Sequence, residues 1–125
     1  MKKRILVVDD DKGITSMVKK VYEASGLYEV KEEMLAEHCL EAAREFLPDL
    51  ILLDWKMPVM NGAEVAAALK KEPDLWNIPL LFITGFGARA GMHGHPVLEK
   101  PFSQKQLLES AGRLLNNTES AGAPE

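Results

Sequence analysis

The chain alternates between short, unbroken apolar runs and longer segments in which apolar residues return every three or four positions. Ile5–Val8, Leu50–Leu53 and Leu80–Ile83 are continuous rather than alternating, and polar residues or proline bound each one. Runs of this kind predict strands buried on both faces, as in a parallel sheet covered by helices. Tyr28–Met34 alternates more weakly and predicts an edge strand, and Val97-Leu98 predicts a short fifth strand. Between them, Ile14, Met17, Val18, Val21 and Tyr22 mark a helix that Gly26 is placed to end. Leu35, Cys39, Ala42, Ala43 and Phe46 mark a second, stopped by Pro48, and Ala63–Leu69 a third after the Asn61-Gly62 turn signal. The last helix is announced by Ser103 and Gln106 at capping-box spacing, with Phe102 and Leu107 at the hydrophobic-staple positions. Its apolar face is Leu107, Leu108, Ala111, Leu114 and Leu115. Strand and helix in alternation predict an α/β domain, a doubly wound parallel sheet with helices on both faces.

The polar residues that end the strands change the picture from fold to chemistry. The first run ends at Asp9-Asp10, the third at Asp54, the fourth at Thr84 and the fifth at Lys100. In a parallel sheet these ends share one edge, and ligands of open α/β sheets bind outside that edge where the strand order reverses. If the first and third strands are neighbours there, Asp9, Asp10 and Asp54 converge, and their mutual repulsion calls for a hard cation. Mg²⁺ suits such a site because it takes one or two carboxylates, keeps its waters and binds phosphate oxygens. Thr84 adds a hydroxyl donor and Lys100 a compact positive charge. Singly, each feature has a plain structural explanation: Asp11 as a helix N-cap, Thr84-Gly85 as a turn, Lys100-Pro101 as a rigid corner. Jointly they predict a phosphoryl site beside Mg²⁺.

Composition narrows the class. A chain of 125 residues, 46% hydrophobic and 27% charged, has the make-up of one globular domain. A net charge of −4 without a Lys/Arg stripe argues against direct nucleic-acid binding. Apolar runs of four residues fall far short of the roughly 18 that span a bilayer, so no membrane partner is expected. The basic Met1–Arg4 followed by an apolar run imitates a secretory leader, but the run meets Asp9-Asp10-Asp11, and a cytoplasmic location is expected. Cys39, the single cysteine, excludes an intrachain disulfide. His93-Gly94-His95 lacks the ligand spacing of a zinc site.

The strings Ile-Leu-Val-Val-Asp9-Asp10-Asp11, Asp54-Trp-Lys-Met57-Pro58-Val-Met-Asn61-Gly62, Phe-Ile-Thr84-Gly85 and Glu-Lys100-Pro101-Phe102 resemble the response-regulator receiver domain of two-component signalling. The resemblance covers residues 2–115, the receiver domain, and leaves 116–125 as a flexible C-terminal tail. It implies a flavodoxin-like five-stranded sheet of order 2-1-3-4-5. It also implies roles: Asp54 as phosphoacceptor from the phosphohistidine of a sensor histidine kinase or phosphotransfer protein, and Thr84 and Lys100 as holders of phosphoryl oxygens. Asp10, Asp54 and the carbonyl of Lys56 would bind Mg²⁺ directly, and Asp9 through water. Lys100-Pro101 is often a cis peptide in this family. The implied output is a phosphorylation-dependent contact with a downstream protein whose identity the sequence does not give. The chain would act as a monomer or a phosphorylation-dependent dimer, a switch rather than an enzyme on external substrates. The alternative from another class is a receiver-like interaction module that works without phosphorylation. A Mg²⁺-dependent phosphotransferase is disfavoured because no residue supplies a separate general acid.

Two departures from the family pattern stand out. The segment Gly85–Pro96 is only 12 residues long and carries Gly85, Gly87, Gly91 and Gly94, which predicts that the helix before the fifth strand is missing, short or mobile. Val97 occupies the position where the family places an aromatic switch residue. Phe86 is the candidate substitute, and its bulk is expected to slow hydrolysis of the phosphorylated state.

Overall fold

The computed structural model describes residues 1–85 and 94–121, with side chains through Leu115. Five strands, β1 (Lys3–Val8), β2 (Tyr28–Glu33), β3 (Leu50–Asp54), β4 (Leu80–Thr84) and β5 (Val97–Glu99), form one sheet in the order β2-β1-β3-β4-β5. Every pairing is parallel. The helices are α1 (Lys12–Ala24), α2 (Cys39–Phe46), α3 (Gly62–Lys70) and α4 (Gln104–Ala121), with a short 3₁₀ turn, Ala36–His38, leading into α2. The expected order and the edge position of β2 are both present. Residues 86–93, where the shortened crossover helix and Phe86 fall, lie outside the described residues.

The unbroken apolar runs are explained by two cores, one on each face. Alternate residues point to opposite faces of a strand. Ile5, Val7, Leu50, Leu52, Leu81 and Ile83 therefore pack with Val18 and Tyr22 of α1 and Leu107, Ala111 and Leu115 of α4. Leu6, Val8, Ile51, Leu53, Leu80 and Phe82 pack with Cys39, Ala42 and Ala43 of α2 and Val65, Ala66 and Leu69 of α3. Every residue of β3 and β4 is buried. The Tyr22 hydroxyl donates to the Leu107 carbonyl at 2.9 Å and ties α1 to α4 inside the first core.

The helix ends follow the sequence signals with two changes. Asp11 caps α1 by accepting from the Gly13 N–H at 2.8 Å, and Gly26, at φ 80°, takes the chain out of it. Ser103 and Gln106 exchange their capping-box bonds at 3.0 and 2.8 Å. Asn61-Gly62, read from sequence as a turn, is instead the start of α3. The Asn61 side chain accepts from the Glu64 N–H at 2.9 Å, and the Glu64 carboxylate accepts from the Asn61 N–H at 2.9 Å. The backbone of α4 also stays helical to Ala121, past Leu115 where the sequence reading begins a flexible tail. No glycine or proline intervenes between Gly112 and Gly122, so nothing local breaks the hydrogen-bond ladder.

Candidate functional site

Strand order reverses between β1, which is followed by β2 on one side, and β3 on the other. The crevice beyond the carboxyl ends of β1 and β3 is therefore the place where a ligand of this fold is held. Asp9 and Asp10 follow β1 directly, Asp54 ends β3, and one oxygen from each lies within 4.8 Å of the other two. Asp9 is wholly buried, Asp54 nearly so, and Asp10 is exposed.

Backbone contacts set these side chains. The Asp9 N–H donates to the Glu33 carbonyl at 3.1 Å, continuing the β1–β2 ladder, and the Asp11 N–H donates to Asp9 Oδ1 at 2.9 Å. That leaves Asp9 Oδ2 aimed at the crevice. Behind Asp54, the Trp55 N–H donates to the Ile83 carbonyl and the Gly62 N–H to the Trp55 carbonyl, both at 2.8 Å. A β-carbon on Gly62 would lie 2.6 Å from the Asp54 carbonyl oxygen and 2.9 Å from Trp55 Cα, so only glycine lets α3 start this close to β3. Trp55 packs edge-on against Phe82, with ring centroids 5.0 Å apart.

Lys100 arrives from the other side. Its N–H donates to the Thr84 carbonyl at 2.7 Å, and the peptide to Pro101 is cis. Its Nζ lies 2.9 Å from Asp9 Oδ2 and donates to Asp54 Oδ1 at 3.3 Å. The first contact is a close ion pair that places the ammonium against a wholly buried carboxylate. Thr84 is buried at the end of β4, beside β3. Lys56 follows Trp55 just past β3 with an exposed side chain.

One ammonium faces three carboxylates here, and the electrostatics show the imbalance. Burial, and then the negative charge of Asp9, push the Asp54 carboxyl up to about 6 against the opposing pull of Lys100. Burial by itself lowers the Lys100 ammonium, but Asp9 and Asp54 more than reverse this and raise it. A hard divalent cation fits the donors: three carboxylates in reach of one another, one of them wholly buried, and more negative charge than the single ammonium balances. The structure thus brings together Asp9, Asp10, Asp54 and Lys100 as the sequence predicts, with Thr84 and Lys56 on the same edge. Sequence reading missed Gly62 and the Asp11 N–H as positioning groups. The Asn61-x-x-Glu64 spacing was the available signal for the first.

A doubly wound parallel sheet with an acidic crevice at its reversal point and a lysine reaching in from the last strand defines a class of signalling domain. The response regulator receiver domain model matches residues 5–111, and the chain belongs to that family of switches. It is 35% identical over 116 residues to the polar-differentiation response regulator DivK of Brucella ovis, covering 88% of this chain and 94% of that one. It is 33% identical over 122 residues to the phosphate regulon transcriptional regulatory protein PhoB of Pseudomonas aeruginosa, covering 93% of this chain. There it spans about half, 53%, of the relative's length. Among solved structures, the chemotaxis protein CheY4 of Vibrio cholerae superposes with a TM-score of 0.84 at 28% identity, covering 92% of this chain and all, 100%, of that one. No helix among the described residues is long and apolar enough to cross a membrane.

Proposed function

We propose that the chain is a phosphorylatable switch in which Asp54 accepts the phosphoryl group of a phosphohistidine. The donor is a sensor histidine kinase or a phosphotransfer protein, which implies work in the cytoplasm. The observation that carries this reading is the placement of Asp54, nearly buried at the end of β3 with Lys100 Nζ 3.3 Å from its Oδ1. In the reaction a carboxylate oxygen of Asp54 forms the O–P bond as the N–P bond of the donor breaks. The imidazole leaves with the electron pair and takes up a proton. Lys100 neutralises charge on the phosphoryl oxygens and the Thr84 hydroxyl donates to another. Asp10, Asp54 and the Lys56 carbonyl would hold Mg²⁺ directly and Asp9 through water, and the ion would supply further charge neutralisation when bound. The acyl phosphate at Asp54 then alters the contact with a downstream protein.

Intact-mass measurement after incubation with Mg²⁺ and a small phosphodonor tests this. A single phosphoryl adduct is expected on the wild type and none on Asp54→Asn. Because the attacking group is the carboxylate, adduct formation at low Mg²⁺ should rise with pH through about 6. An unmodified wild type, or an adduct that persists in Asp54→Asn, overturns the reading.

A further inference from the structure

An edge strand offers its outward N–H and C=O groups to any chain that reaches it, so folds either cover such an edge or use it. Among the described residues β2 is an edge strand, flanked only by β1. The Lys3 N–H donates to the Leu27 carbonyl and the Asp9 N–H to the Glu33 carbonyl, so odd-numbered residues of β2 turn their backbone groups toward β1. Even-numbered ones turn outward. Val30 is the central outward residue, and side chains of α1 take both its groups. Its N–H donates to Glu23 Oε2 at 3.1 Å, and its carbonyl accepts from Lys19 Nζ at 2.9 Å. Lys19 and Glu23 sit one turn apart on α1 and pair with each other at 3.0 Å. Exposed ion pairs of this kind add little stability, and fixing two long side chains costs rotamer entropy. Their position, rather than their energy, is the informative feature.

The strand under this cover is self-complementary. Turned about a two-fold axis through Val30, two copies of β2 run antiparallel with Val30 opposite Val30 as a hydrogen-bonded pair. Glu29 then stands opposite Lys31 on either side, in the non-hydrogen-bonded positions where side chains lie closest. Glu29 is exposed, and Arg4 is 3.6 Å from it. The charges that directly face each other at these positions are therefore of opposite sign.

We propose that the β2 edge is a docking strand for a second copy of this chain, held shut in the monomer by the Lys19–Glu23 cover. The test is sedimentation velocity on the whole chain, with circular dichroism as the check on folding. Lys19→Ala/Glu23→Ala should double in mass at concentrations where the wild type sediments as a single chain. Adding Lys31→Glu places like charges opposite each other and should return the protein to the monomer. At concentrations low enough to keep every variant monomeric, the Val30 amide should exchange at least about tenfold faster in Glu23→Ala than in the wild type. A folded double variant that stays monomeric overturns the proposal, as does a dimer that survives Lys31→Glu or an unchanged Val30 exchange rate. If the double variant loses its fold, Lys19→Met/Glu23→Met, which keeps both stems and removes both bonds to Val30, is judged by the same outcomes.

Discussion

Asp54 is held in a setting that favours its neutral form, and that has a measurable sign. Its carboxyl is raised from the ordinary 3.8 to about 6 by burial and by the charge of Asp9. A group raised in the folded state stabilises the fold where it is protonated, and that contribution is lost as pH climbs through the folded value. At pH 7 to 8, without metal, the wild type therefore carries an unfavourable charge that Asp54→Asn lacks. The variant should be more stable there by on the order of 1 kcal/mol, a modest figure because water in the open cleft screens the carboxylates. The difference should vanish near pH 4. Urea denaturation of both proteins in chelator across that range checks it, and equal stabilities at pH 8 would refute it.

The elements show why the site has its shape. β3 and α3 approach so closely that Gly62 has no room for a β-carbon, and its N–H is bonded to the Trp55 carbonyl at 2.8 Å. Gly62→Ala gains helix propensity but forces α3 away from the residue after Asp54. A net loss of about 1 to 3 kcal/mol is expected, together with slower adduct formation on Asp54. Denaturation and mass measurements on one sample check both, and an Ala variant as stable and reactive as the wild type would refute the steric account. Strand order, the two caps at Asp11 and Ser103, and the convergence of Asp9, Asp10, Asp54 and Lys100 were legible in the sequence. The strands and caps rest on local signals, an unbroken apolar run or a capping spacing, whereas the strand order, and with it the convergence, came from the family resemblance of the strand-end motifs. Gly62 was not legible as a contact, because a glycine after asparagine also writes a turn; the Asn61-x-x-Glu64 spacing marks a helix start there but not how closely α3 packs on β3. The helical backbone past Leu115 was not anticipated for a related reason. A run of Asn, Thr and Ser lacks apolar periodicity, yet contains no residue that stops a helix.

At the scale of the whole molecule, the proposed Mg²⁺ site would link folding to cation binding, because the carboxylates repel across β1 and β3. A ligand that binds only the folded state at one hundred times its Kd stabilises it by about 2.7 kcal/mol. Mg²⁺ should show an effect of this size at pH 7.5. Protons compete for Asp54, so the same Mg²⁺ concentration should stabilise the protein much less at pH 5. Thermal melts with and without Mg²⁺ read the shift. Trp55 fluorescence reports binding once the exposed Trp76 is replaced by Phe. Equal stabilisation at the two pH values would show that Asp54 is not among the ligands.

The strand that ends in Asp54 has no face open to solvent. Leu50 and Leu52 lodge among α1 and α4, while Ile51 and Leu53 lodge among α2 and α3. β4 is enclosed in the same way, so the crevice sits at the end of two strands that are gripped on either side. Any shift of Asp54 along its strand must therefore be accommodated by packing in both helical layers.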